Sequence, residues 1–178
     1  METIELAKSF SIAQYRELKA NEDTQKIAEL IYQRFYERYI LPFENNENRH
    51  GFSMMAVCCL MIEALQSFKE GQNESKGKIL ERFFHNSTYF KEFQNTTFYS
   101  DIRCGILHQA ETRGGWKIWR VGRLRDESKK TINADLFMDS LKEELADYKK
   151  LLISESFNSM IWKRAFDKLG AICNNSCL

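Results

Sequence analysis

The stretch Phe52–Leu65, FSMMAVCCLMIEAL, constrains this chain more than any other. It is apolar at twelve of fourteen positions, all but Ser53 and Glu63. A membrane span needs about twenty apolar residues and Glu63 interrupts this run, so the expectation is a buried helix and no membrane segment. Ser53 is placed as its N-cap, and Gly71 closes the pattern after Phe68 and Lys69. A helix that is apolar nearly all round has to be covered on every side, by other helices of the chain or by a second copy of it.

The surrounding sequence supplies helices to do so. Ile27, Leu30, Ile31, Phe35 and Tyr39 recur with helical period on a segment from about Asp23 to Ile40, expected to stop before Pro42, the one proline. Ile79, Leu80, Phe83 and Phe84 mark a short helix, and Phe98, Ile102, Ile106 and Leu107 another. Gly114-Gly115 then breaks the pattern, and the alternation from Trp116 to Val121 predicts one strand of a short hairpin whose return strand lies near Lys130–Ile132. Asn133 is placed to cap a long amphipathic helix carrying Leu136, Phe137, Leu141, Leu145, Tyr148, Leu151 and Leu152, and Phe157 to Leu169 reads as a last helix. With 43% hydrophobic residues, 29% charged residues and no linker-like segment, the chain reads as folded. The expectation is one all-α domain over residues 1–178, with a core of about 22–155, a C-terminal helix of about 157–170 and a short β-hairpin inserted after the fourth helix.

Compartment and cofactors follow from what the sequence holds. Five cysteines, two of them adjacent as Cys58-Cys59, do not form a secreted disulfide framework, and the first twenty residues hold no continuous apolar core of a signal peptide. A cytoplasmic protein is expected. Cys173 and Cys177 have no second Cys/His pair at ligand spacing, so neither a metal nor a cofactor is expected. No P-loop, HExxH or GxSxG string is present, which argues against the larger enzyme classes those motifs mark.

The chemistry-bearing stretch is DIRCGILHQAETRGGW, residues 101–116. Arg103 offers a permanent forked cation suited to phosphate, and His108 the one side chain type that titrates near neutral pH. Gln109, Thr112 and Arg113 follow where they can orient a substrate. Seven basic residues then fall between Arg113 and Lys130, among them Lys117, Arg120 and Arg123, against Asp126 and Glu127. They read as a rail for a polyanion or as a solvated loop. Trp116 and Trp119 within it suit stacking on unpaired bases, or the hairpin's core. On a regular helix, residues five apart differ by about 140° around the axis, so Arg103 and His108 of one chain do not point the same way. Either the glycines Gly105, Gly114 and Gly115 loosen the helix end, or two chains face each other across a two-fold axis.

Arg103-x4-His108 at the end of a helix in an all-α chain resembles the HEPN superfamily, whose signature is an arginine, a few intervening residues and a histidine. The longer string RCGILHQAET followed by Gly-Gly-Trp is similar to one bacterial, plasmid-type HEPN group. The resemblance covers about residues 22–155 and is sharp over some fifteen. It implies a helical bundle that forms a homodimer, so that two motifs share one cleft. Many members use that cleft for metal-independent RNA cleavage in toxin–antitoxin systems, which would bring in an antitoxin protein as partner, or in phage defence; others bind without cutting. Residue by residue, Arg103 would hold the scissile phosphate and His108 would move the proton. Where catalytic members often carry a polar residue after the arginine, this chain has Cys104. Three readings therefore stand: a metal-independent endoribonuclease, a non-catalytic dimer binding RNA, a nucleotide or a protein, and an interaction module whose Arg/His pair only stabilises the fold.

Overall fold

The computed structural model describes residues 4–44, 50–72 and 78–176. They are mostly helical, with small sheets. The chain opens with β1 (Glu5–Ala7) and β2 (Phe10–Ser11), an antiparallel pair, followed by α1 (Ile12–Ala20) and α2 (Thr24–Phe35). Ser11 and Gln14 form a capping box at the start of α1. The strand pair and α1 are additions to the expected elements; Ile12 and Tyr15 are the buried residues of α1.

Asp23 caps α2 as its position suggests, its carboxylate accepting from the Lys26 amide at 3.0 Å. The helix does not stop before Pro42. It widens into a π turn over Tyr36–Ile40 and continues as α3 (Leu41–Glu44) through the proline. Pro42 has no N–H, and its ring clashes with the preceding turn of a tight α ladder, so a widened turn just ahead of it lets the helix run on.

The apolar stretch becomes α4 (Gly51–Glu70), longer than its apolar run and starting after His50, with Ser53 exposed in its first turn. Gly71 ends it with a left-handed φ of 69°, its N–H donating to the Phe68 carbonyl. A Cβ there would also come within 2.9 Å of the Arg164 backbone, so this position requires glycine for two reasons. Helix α4 is the one described helix long and apolar enough to cross a bilayer, and most of it is buried within the protein. It packs against α5 (Ile79–Asn86), α7 (Ala134–Ser154) and α8 (Met160–Ser176). The chain thus covers its own apolar helix, leaving Phe52 and Leu60 as its large exposed hydrophobics.

One hydrophobic core runs from Leu6 to Cys173, and residues outside the expected core of 22–155, notably Tyr15, Trp162 and Leu169, belong to it. Trp162 fixes α8 by donating from Nε1 to the Leu152 carbonyl at 2.9 Å. The stripe on α7 runs through Phe137, Leu141, Leu145, Tyr148 and Leu152, while Leu136 and Leu151 face outward. Asn133 caps α7, its side chain accepting from the Asp135 and Leu136 amides at 3.1 and 3.3 Å.

After α5 come a 3-10 turn (Lys91–Phe93), a second π turn (Tyr99–Arg103) and α6 (Cys104–Gln109). An aromatic cluster pins this segment to α7: Phe90, Phe93 and Phe98 pack on the Phe137 ring at 4.8, 5.2 and 5.5 Å between centroids. Such pairs contribute about 0.5–1.5 kcal/mol each beyond their burial. The motif helix therefore starts from a rigid base, since Phe98 adjoins Tyr99.

The expected hairpin is replaced by a mixed three-stranded sheet, β3 (Lys117–Trp119), β4 (Arg125–Asp126) and β5 (Thr131–Asn133), in the order β3-β5-β4. β3 and β5 are the two segments expected to pair, but they run parallel. β5 returns antiparallel to β4 instead, through a turn in which the Asp126 carboxylate accepts from Ser128 Oγ and the Lys129 amide. Two residues of β4 are too short for alternation to reveal, so the inserted strand is invisible in the sequence.

Candidate functional site: the Arg103 face

The backbone of the motif is set by three neighbours. Arg103 closes the π turn, α6 is a regular α-helix from Cys104 to Gln109, and Ala110, in a left-handed conformation at φ 55°, ends it. Beyond Ala110 the chain folds back over the helix, with the Arg113 amide donating to the Asp101 carbonyl at 2.7 Å. Gly105 is where the returning segment crosses. A Cβ at that position would lie 2.5 Å from the Glu111 carbonyl oxygen. Its glycine thus serves close backbone approach and does not loosen the helix. With Arg103 in a right-handed helical conformation and α6 regular through His108, the two residues stay about 140° apart around the axis.

Arg103 is oriented by Glu63. Its Nε donates to Glu63 Oε1 at 2.7 Å, with the two side chains 19% and 15% exposed. The hydrogen bond to Glu63 raises the arginine pKa. Among the described residues, Glu63 is the one carboxylate that pairs with this guanidinium, and the hydrogen bond runs through Nε. The Tyr99 ring lies 5.6 Å from the guanidinium carbon, and the Cys104 thiol lies close enough to both to influence their protonation. Cys104 is the leading cause of a raised Tyr99 pKa. Cys59 lies beneath; burial above all, then the Glu63 charge, pushes its thiol up to about 12. Cys58, Cys59, Cys104 and Cys173 are thiols outside any disulfide, and Cys177 lies outside the described residues.

Glu63 and Tyr99 are neighbours of Arg103 that the motif string does not name. Glu63 carries a usable signal, because the one acid in the apolar run Phe52–Leu65 has to meet a cation or a donor once buried. Tyr99 precedes Arg103 by four residues, and Leu107 follows it by four, so all three share one side of the motif segment. Tyr99 is 48% and Leu107 36% exposed. Phe52, Ala56, Leu60 and Glu63 form a matching line on α4, with Phe52 37% and Leu60 44% exposed. The Arg103–Glu63 pair joins the two lines, giving an apolar face with one cation near its centre.

The remaining expected residues are distributed as follows. His108 is exposed in the last turn of α6 and makes no hydrogen bond among the described residues. The Gln109 amide oxygen accepts from Arg113 Nε at 3.0 Å and also from its Nη2. Thr112 donates its hydroxyl to the Trp116 carbonyl, which ties the loop to the start of β3. Arg120 is held by Asp135, with Nε–O distances of 2.7 and 2.9 Å, and so is bound into the junction of β3 and α7. Arg125 and Lys130 both pair with Glu127 and lie 5.0 and 4.9 Å from the Trp116 ring. Trp116 is buried and belongs to the core; Trp119 is 44% exposed. The basic rail is thereby reduced. Lys117, Arg123 and Lys129 stay exposed with no carboxylate partner among the described residues, and Trp119 shares the outward face of β3 with Lys117. Comparison of the chain with family models, with curated proteins and with solved structures gives no match.

Proposed function

We propose that this protein is a HEPN-like, RNA-directed dimer of the cytoplasm that cleaves RNA without a metal, with Arg103 and His108 as its reacting groups. The observation that carries this reading is the way Glu63 grips Arg103. A carboxylate hydrogen-bonded at Nε fixes the guanidinium plane, and the terminal N–H donors would serve a bidentate phosphate. Exposed His108 supplies a proton acceptor for the ribose 2′-hydroxyl. The 2′-oxygen then attacks phosphorus, the bond to the 5′-oxygen breaks, that oxygen takes up the proton His108 accepted, and a 2′,3′-cyclic phosphate remains. Arg103 offsets the charge that develops on the phosphoryl oxygens.

Because one chain holds the two groups apart, the reading includes a second copy. The apolar face of Phe52, Leu60, Tyr99 and Leu107 is the surface we assign to the two-fold contact, which would bring His108 of each chain toward Arg103 of the other. Lys117, Arg123 and Trp119 would carry the RNA past the site by charge and stacking.

A specific observation supports a second reading. Glu63 offsets the positive charge of Arg103, and the residue after the arginine is a thiol, engaged by Tyr99, where a polar orienting group is expected. Both favour a dimer that binds RNA or a partner protein, an antitoxin for instance, without cutting. Cleavage in EDTA separates the two. On the first reading the parent protein cuts RNA and spares DNA, and His108→Ala lowers the rate by about 10² to 10⁴ while RNA affinity holds. If the parent protein leaves RNA whole yet binds it, the binding reading replaces the nuclease.

A further inference from the structure

A second cationic site lies toward the C-terminal end of α4, where the π turn Tyr36–Ile40 comes near α4 and α8. A cavity of about 230 Å³ there is lined by Arg34, Arg38 and Lys168, with Phe35, Tyr39 and Phe68 as aromatic walls. Among the described residues, neither arginine meets a carboxylate. Arg34 Nη1 donates to the Leu6 carbonyl at 2.7 Å, and Arg38 Nη1 donates to the Arg34 carbonyl at 3.4 Å. Glu37, the acid between them in sequence, turns away and accepts from the Lys8 amide at 2.9 Å.

That arrangement is costly for a purely structural purpose. Burial, followed by the charge of Arg38, pulls the Arg34 pKa down to about 10. Arg34 and Arg38 repel each other, and a half-buried guanidinium ordinarily finds a carboxylate. The wide turn that presents Arg38 and Tyr39 is itself of a kind that recurs at functional sites. An anion supplied from outside would relieve both costs.

We propose that this cavity binds a phosphomonoester, its dianionic phosphate held by Arg34 and Arg38 and its organic part resting against Phe35, Tyr39 and Phe68. The phosphate suits the site because each guanidinium offers a planar fork to its oxygens. The cavity is smaller than the roughly 300–1,000 Å³ of sites for drug-sized ligands, so the organic part is small or only partly enclosed. Two sources share this chemistry: a free small phosphomonoester, and the 5′-phosphate end of a nucleic acid.

Isothermal titration with phenyl phosphate, and with a trinucleotide carrying either a 5′-phosphate or a 5′-hydroxyl, tests the site. Phenyl phosphate is expected to bind, and Arg38→Gln to raise its Kd about tenfold or more. Arg34→Gln should do the same, but it also removes the bond to Leu6, so Arg38, exposed and, among the described residues, hydrogen-bonded to a main-chain oxygen, is the primary variant. A trinucleotide preference for the 5′-phosphate that Arg38→Gln erases identifies a nucleic-acid end as the source; binding of phenyl phosphate with no such preference identifies a small molecule. No binding of either probe at about 10 mM, or a Kd unchanged in a folded Arg38→Gln protein, overturns the proposal. The variant lies apart from Arg103 and His108, so its effect is separable from any loss of RNA cleavage.

Discussion

Gly105→Ala tests the geometry of the motif directly, because two physical effects predict opposite signs. By helix propensity alone, replacing glycine with alanine inside α6 stabilises by about 1 kcal/mol. The structure opposes this gain. The added Cβ would stand 2.5 Å from the Glu111 carbonyl oxygen and 3.1 Å from the Thr112 Cα, both main-chain atoms that cannot rotate aside. Relieving the clash means lifting the 111–113 segment, at a cost of about 1–3 kcal/mol for overpacking. It also endangers the Glu111 amide bond to Gly105 and the Arg113 amide bond to Asp101, each contributing about 1 kcal/mol. The sum is a loss of roughly 3–5 kcal/mol against a gain of about 1, so a net destabilisation of about 2–4 kcal/mol is expected. Urea unfolding followed by circular dichroism measures it as a lowered midpoint with an unchanged slope, and heating should show a Tm lower by roughly 4–16 °C. A variant as stable as the parent, or more so, would refute the account of a loop pressed onto the helix, and with it the fixed positions of Gln109 and Arg113.

Other perturbations separate the remaining roles. Glu63→Gln keeps a hydrogen-bond acceptor but removes the charge opposite Arg103; on the cleavage reading it lowers kcat by about tenfold or more through misorientation, with thermal stability down by only about 1–2 kcal/mol, and unchanged turnover in single-turnover assays would remove Glu63 from the site. Leu60→Asp alters a side chain exposed in the single chain, so it should leave the melting temperature within a few degrees while converting a dimer to a monomer by light scattering; a parent protein that is monomeric at micromolar concentration sinks the two-fold site. Replacing Lys117 and Arg123 together by Ala should reduce the slope of log affinity for single-stranded RNA against log salt by about 0.7 for each phosphate no longer neutralised, whereas Arg120→Ala should act mainly on stability. An unchanged slope in the double variant returns the segment to an ordinary solvated loop.

The helices are legible in the sequence to the degree that they are amphipathic. Gly71 and Asn133 stand where their cap chemistry puts them, whereas α4 begins after His50 and takes in Ser53, the residue expected to cap it. α1 is hard to see because it buries few of its own side chains. The path through Pro42 is hidden because a π turn has no sequence signature of its own. β3 and β5 are visible as strands, yet their direction depends on β4, which is two residues long. The site is legible as residue types and not as partners. Arg103 and His108 can be named from the string, but Glu63 lies forty positions away, and nothing local says which acid a buried arginine will meet. The basic run shows the converse difficulty. Charges close in sequence suggest one surface, and folding assigns Arg120 to Asp135 and Arg125 to Glu127.

Those pairings also bear on why the two Arg clusters of this protein differ in kind. Arg103 and Arg120 each face a carboxylate, so each could be replaced by a neutral pair at modest cost, and their charge does little to attract an anion from solution. Arg34 and Arg38 have no such partner among the described residues, and their field is directed into a cavity. Electrostatic attraction of a phosphate therefore favours the α2–α8 side, while the Arg103 side offers geometry: a plane fixed by Glu63, a ring from Tyr99 and an exposed imidazole. A site that works by orientation needs its ligand delivered by other contacts, and the exposed Lys117, Arg123 and Trp119 are the groups on the motif side able to deliver a strand of RNA.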